Sequence, residues 1–154
     1  MKHRIRDATP RDGAIIASNN SALAEESESH TLDPDVLSAG VLSILDDSTK
    51  GRYWVAELHQ EVIGQIMVTY EWSDWRNGML WWIQSVYVHP EHRRGGVFSS
   101  LYRHVESAAR DAAARGMRLY VDHDNSNAQD TYKAMGMMTS NYEVMEVIFG
   151  EPSC

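Results

Sequence analysis

The stretch Ser85–Tyr102, S-V-Y-V-H-P-E-H-R-R-G-G-V-F-S-S-L-Y, decides how the rest of the chain is read. A β-branched run containing Val86 and Val88 stops at His89-Pro90; two arginines and two glycines follow, and an apolar helical pattern begins at Val97 and Phe98. That is strand, turn, helix. Val97, Leu101, Val105, Ala108 and Ala112 keep the three-and-four spacing of a buried helix face, which Gly116 ends. A helix starting directly after Arg93-Arg94-Gly95-Gly96 turns its unpaired N–H groups and the positive end of its dipole toward the turn. A phosphate group suits that place, because glycine permits close approach and arginine adds charge. A plain turn with solvated arginines fits these residues equally well. Neither G-x-x-x-x-G-K-[ST] nor G-x-G-x-x-G occurs, which disfavours a P-loop ATPase and a dinucleotide-binding fold.

Working outward, three strand-like runs precede this stretch. Arg52–Leu58 and Val62–Trp72 are joined by His59-Gln60-Glu61, and Met79–Val88 follows Asn77-Gly78, a strong hairpin signal. They predict an antiparallel meander. After the helix, Met117–Val121 has strand character, and a strand–helix–strand crossover of this length predicts a parallel pair. At the N-terminal end, His3–Ala8 reads as a first strand, and Thr9-Pro10 starts a helix running to about Ala24. Asp33-Pro34 repeats the same start, and Val36, Leu37, Val41, Ile44 and Leu45 give a second helix its apolar face. Glu25–His30 between them reads as a polar loop. Toward the C-terminus, Asn125 or Ser126 caps a last helix ended by Gly136, and Tyr142–Phe149 alternates as a final strand.

The chain has 154 residues, a length that suits one domain, here residues 1–154. Its net charge of -8 and pI near 5.3 argue against a nucleic-acid partner. An anionic cofactor can still bind where Arg93, Arg94 and Arg103 gather, and the remaining acidity would steer a cationic acceptor. The single cysteine, Cys154, excludes a disulfide framework and a multi-cysteine zinc site within one chain. His89 and His92 form an H-x-x-H without a spaced third ligand, so no metal site is expected. Ser99-Ser100 lacks the G-x-S-x-G of a hydrolase elbow. The N-terminus lacks the apolar core of a signal peptide and no run reaches about 20 apolar residues, so a cytoplasmic protein without membrane contact is expected.

Arg93, Gly96 and Phe98 occupy the three defined positions of R/Q-x-x-G-x-G/A, and this stretch resembles the acetyl-CoA motif of the GCN5-related N-acetyltransferase (GNAT) family. Phe98 stands where that family has Gly or Ala. A second stretch, N-x-x-A-x-x-x-Y-x-x-x-G at Asn125, Ala128, Tyr132 and Gly136, is similar to the same family, as is the order of elements along nearly the whole chain. The resemblance implies a GNAT-like acyl-CoA N-acyltransferase fold. This is an α/β fold with a mixed central sheet of about six to seven strands and helices on both faces.

It also implies roles. Acetyl-CoA would be held by Val86, Tyr87 and Val88, whose edge backbone groups meet the pantetheine where two parallel strands separate. Arg93, Arg94, Gly95, Gly96, Val97, Phe98 and Ser99 would take the pyrophosphate, with Asn125 nearby. Tyr132 would protonate the departing thiolate, since a phenol stays protonated at neutral pH; shared spacing with Ala128 and Met135 equally allows a core tyrosine. Many family members carry a glutamate on the strand before the cofactor motif, but Trp82 and Gln84 stand there in this chain. Glu71 is the candidate base, with Asp74, Glu26, Glu28 and His123 behind it, although Glu71 can simply face water and Asp74 can pair with Arg76. Glu26, in the loop between the first two helices, together with Trp72 and Asp74, would line the acceptor site. Trp81 and Trp82 read as a core pair on opposite faces of a central strand. The function expected is acetyl transfer from acetyl-CoA to an amine, here a small molecule, by direct attack. The alternative is a non-catalytic acyl-CoA-sensing module on the same fold. The exposed edge of Tyr142–Phe149 could pair with a second chain to make a homodimer.

Overall fold

The computed structural model describes residues 2–151, so Cys154 lies outside the described residues. Within them the chain divides into two compact units, with the boundary between Tyr120 and Val121.

The first unit is built on a five-stranded sheet in the order β1-β2-β3-β4-β5. Its strands are β1 (Arg4–Asp7), β2 (Arg52–Leu58), β3 (Glu61–Ser73), β4 (Gly78–Val88) and β5 (Gly116–Leu119). The first four pair antiparallel and β5 joins β4 parallel, as the meander and the crossover predict. Among the described residues the sheet has five strands rather than the expected six to seven, and Tyr142–Phe149 is not one of them. Tyr142, Val144, Met145, Val147 and Phe149 stand exposed. Alternating pattern alone does not make a strand.

Helices cover both faces of this sheet. The chain enters α1 (Gly13–Glu28) through a short 3-10 turn, Pro10–Asp12, not by an α-helix from Pro10. Asp12 anchors that entry by accepting from the Thr9 N–H at 2.7 Å and from both terminal nitrogens of Arg6 at 2.8 and 2.9 Å. The pairing holds the Asp12 carboxyl below the usual carboxylate range. Glu25–Glu28, expected as loop, continue α1: no breaker interrupts them, and the helix stops only where Ser29 turns left-handed at φ +50°. Helix α2 (Pro34–Asp46) is capped by Asp33, whose side chain accepts from the N–H groups of Asp35 and Val36.

Adjacent residues of β3 show which helix lies where. Gln65 reaches α1, whereas a Cβ on Gly64 would stand 3.1 Å from Val97 and 3.4 Å from Leu101 of α3 (Val97–Asp111). Ile16, Val41, Tyr53, Val55 and Met67 close the core on the α1–α2 face. Leu101, Val105 and Trp54 lie fully buried on the α3 face, where Trp54 stacks on Trp81. Glycine at position 64 is what lets α3 come this near.

The second unit holds α4 (Ser126–Ala134). Asn125 is its cap, accepting from the Ala128 N–H at 3.0 Å, so the choice left open between Asn125 and Ser126 falls to Asn125. Ala128, Tyr132 and Met135 are half-buried, and Gly136 follows the helix at φ +102°.

Candidate active site

Strand β4 is interrupted once. Gln65 pairs with Tyr87 and Met67 with Gln84, so one residue of β3, Ile66, faces two of β4, Ser85 and Val86. This is a β-bulge, and Ser85 sits in it at φ +51°. The break also marks where β5 leaves: β4 pairs with β5 only from Leu80 to Ile83. Among the described residues, no strand pairs with Gln84–Val88 on that side. Val86, Tyr87 and Val88 therefore present an open edge.

That edge leads into the turn singled out in the sequence. After Pro90–His92, Arg94 adopts φ +65° and Gly96 φ +82°, and α3 begins at Val97 with Gly96 as its cap. Gly96 has no side chain to cap the helix, and the N–H groups of the first turn have no acceptor within the helix. A Cβ built on Gly96 would meet nothing within 4 Å. The turn is open toward solvent, with Arg94 exposed beside it.

Arg93 is committed elsewhere. Its Nε donates to the Val88 carbonyl at 2.8 Å, one terminal nitrogen donates to Glu26 at 2.8 Å, and the guanidinium lies 5.4 Å from the Tyr87 ring centroid. Tyr87 also donates to Glu26, at a longer 3.4 Å. Burial pushes the Tyr87 phenol up, and the Glu26 charge adds to that while Arg93 opposes it. Glu26, read from the sequence as a loop residue on the acceptor wall, thus ties the end of α1 to Tyr87 and to the turn before α3.

Before the bulge, the α1 face of the sheet carries a second group. Glu71 accepts from Trp82 Nε1 at 2.7 Å and from Arg118 at 3.4 Å, and Tyr120 lies against Trp82 with ring centroids 4.6 Å apart. Gln84 donates to the Thr69 hydroxyl beside them. Trp82 is therefore not half of a core pair. Trp81 is buried against Trp54 and Tyr70, but Trp82 stays half-exposed because its N–H is drawn to the Glu71 carboxylate. A carboxylate from β3 thereby lies over β4, at the strand where the expected glutamate is replaced by Trp82 and Gln84.

Trp72 and Asp74 do not join this group. Trp72 follows Glu71 on the same strand and so points to the opposite face, where it is largely exposed. Asp74 lies in the β3–β4 connection and accepts from the Trp75 N–H, and Arg76 donates to Ser73 rather than to Asp74. Asn125 and Tyr132 belong to the second unit, with Asn125 engaged as the α4 cap. Among the described residues no group of three His, Cys, Asp or Glu could hold a metal ion, and no helix is long and apolar enough to cross a membrane. The bulge and the polar side chains beneath it escaped the sequence reading, although Gln65 within the otherwise apolar run Val62–Val68 was their signal.

Comparison with known proteins agrees with this geometry. The family model for the acetyltransferase (GNAT) family matches residues 19–137. The crystal structure of a possible acetyltransferase from Clostridium difficile 630 is 43% identical, covering 98% of this chain and 100% of that one with a TM-score of 0.91. A predicted acetyltransferase from Clostridium acetobutylicum, solved with acetyl-CoA, shares the fold at 18% identity, with a TM-score of 0.79 over 96% of each chain. Thialysine N-epsilon-acetyltransferase of Bos taurus is 33% identical over 75 residues, 49% of this chain; the chain spans less than half, 44%, of that relative's length. The bulged strand, the glycine turn and the matched family model together place the chain: it belongs to the acetyltransferase (GNAT) family, which draws its acyl group from acetyl-CoA.

Proposed function

We propose that the chain transfers the acetyl group of acetyl-CoA to the amine of a small molecule by direct attack in a ternary complex. The observation that carries this reading is the continuity of the open β4 edge, Val86–Val88, with the glycine turn at the N-terminus of α3. A strand edge can pair with the amides of the pantetheine arm. The turn at its end offers N–H groups and a dipole to the pyrophosphate. The Clostridium acetobutylicum relative was solved with acetyl-CoA, and the bovine relative is named for acetylating the Nε of thialysine, an amine on a small molecule.

The chemistry assigned to the residues follows. The neutral amine attacks the thioester carbonyl, the C–S bond breaks as the tetrahedral intermediate collapses, and the thiolate takes a proton from Tyr132. Glu71 takes the first proton from the ammonium group; the second leaves the nitrogen of the tetrahedral intermediate and, through water, restores the Tyr132 phenol. Trp82, which holds the Glu71 carboxylate, precedes Ser85 by three residues, about 10 Å along a strand, so the first proton travels through water beside Thr69 and Gln84. Arg93 serves as a brace, leaving Arg94 and the backbone of residues 95–99 to meet the anion.

Dimerisation belongs to the same reading. Exposed Val144, Met145, Val147 and Phe149 would be covered by a second chain, and sedimentation at micromolar concentration showing only a 17.5 kDa species would remove that part.

The test is release of the coenzyme A thiol across a panel of polyamines, amino acids and aminoglycosides. The expected outcome is turnover on at least one amine, lowered about a hundredfold by Glu71→Gln and by Tyr132→Phe. Full turnover by Tyr132→Phe on a good acceptor would remove its role as the acid. Stable acetyl-CoA binding without turnover on any amine would favour a sensing module.

A further inference from the structure

Gln65 has no exposed surface and lies beneath the break in β4. Each polar atom of its carboxamide is satisfied from a different place. Oε1 accepts from Asn19 Nδ2 at 3.1 Å; Nε2 donates to Asn20 Oδ1 at 2.8 Å and to the Ser85 carbonyl at 3.1 Å. Asn20 passes the chain on, donating to the Tyr53 hydroxyl at 3.0 Å. Asn19 and Asn20 are themselves buried, on a turn of α1 that packs against the sheet. One network thus joins α1, β2, β3 and the bulge.

Its effect on the strand follows from hydrogen-bond accounting. A bulge takes a residue out of the ladder, and a carbonyl turned inward there needs a donor other than the backbone N–H groups of the ladder. Ser85 finds that donor in Gln65. Without it, the chain can satisfy the carbonyl by sliding β4 one residue back into regular register. Such a slip moves every side chain after the break to the other face and rotates the edge groups of Val86–Val88.

We propose that Gln65 is the positioning residue of the cofactor edge: anchored to α1 through Asn19 and Asn20, it holds β4 in its bulged register so that the backbone of Val86–Val88 meets acetyl-CoA. This rests on the reading that acetyl-CoA lies along that edge. Gln65 touches neither the cofactor nor the acceptor; it acts through Ser85.

Calorimetric titration of the full chain with acetyl-CoA tests this without an acceptor. Gln65→Met keeps the size and removes the hydrogen bonds; Val41→Ala, a core change in α2 away from the bulge, controls for lost stability. The expected result is affinity weakened about tenfold in Gln65→Met and unchanged within about twofold in Val41→Ala. Amide exchange should quicken at residues 84–88 in Gln65→Met and not at the β2–β3 pairs. If Gln65→Met fails to fold, Asn19→Ala, which cuts only the outer bond, should weaken affinity about threefold. Wild-type affinity in a folded Gln65→Met, or in Asn19→Ala where that stands in for it, overturns the proposal. Equal weakening in Gln65→Met and Val41→Ala overturns it as well, by showing general destabilisation. Absence of binding in the wild type would remove the cofactor reading itself and this proposal with it.

Discussion

Replacing Gly96 with alanine separates the two properties that the turn needs. Gly96 holds φ +82° and a Cβ there would meet nothing within 4 Å, so the cost of the change is conformational, with no clash. An L-residue in the left-handed region costs about 1–2 kcal/mol. For a domain of this length that lowers the unfolding midpoint by about 2–8 °C. The second effect concerns the ligand. Wild-type protein with acetyl-CoA at 100 times its dissociation constant should gain about 2.7 kcal/mol, or about 5–11 °C. Relaxing the strain in the variant rotates the peptide groups on either side of residue 96, which carry the donors of the turn. If affinity drops tenfold, the same ligand concentration gives about 1.4 kcal/mol and about 3–6 °C. Differential scanning calorimetry of both proteins, with and without acetyl-CoA, reads both quantities. An unchanged midpoint in the free variant would refute the strain argument. A ligand-induced shift equal to that of the wild type would refute the assignment of the turn.

Glu71→Gln should remove most of kcat while leaving acetyl-CoA affinity within about twofold, whereas an unchanged kcat would exclude Glu71 as the base. The Arg6–Asp12 pair predicts an acid-labile N-terminal entry. The Arg6 guanidinium holds the folded carboxyl below its ordinary value of 3.8, so this stabilisation is present above that value and is lost as pH falls through the depressed folded one. Asp12→Asn should cost about 2 kcal/mol at neutral pH and flatten the loss of stability in acid; equally steep acid unfolding in the variant would contradict this. Gly64→Ala puts a methyl 3.1 Å from Val97 and 3.2 Å from the Tyr87 carbonyl, and should destabilise by about 1–3 kcal/mol in urea melts. A neutral result would mean that α3 moves freely away from β3.

Local signals in the sequence were read correctly where the structure satisfies them locally. Asp33-Pro34 caps α2, Asn77-Gly78 enters β4, and Arg93–Gly96 lies between strand and helix because glycine there meets a backbone demand within a few residues. The failures share a cause. Alternation in Tyr142–Phe149 resembles a strand, but pattern does not say whether a ladder forms, and among the described residues the sheet does not include that stretch. The bulge at Ser85 is invisible for the same reason: it is a mismatch between β3 and β4, stabilised by Gln65 and by α1 side chains 45 and 46 positions away. The candidate site divides along the same line. The turn and the edge were legible because one continuous stretch makes them. Glu71 was named for its chemistry alone, and only the cross-strand register brings it to Trp82. Trp72, one residue on, was grouped with it by proximity in sequence, and the pleat puts it on the other face.

The central claim is that acetyl-CoA lies along the open edge of β4 and ends on the glycine turn. A titration of 15N-labelled protein with acetyl-CoA, followed residue by residue in amide spectra, tests it most directly. The account predicts that the largest shifts fall on Val86, Tyr87, Val88 and Arg94–Ser99, with smaller ones at Ser85 transmitted from its neighbours. Saturable binding that leaves those amides unmoved, with shifts gathered on β1 or α2, would contradict it.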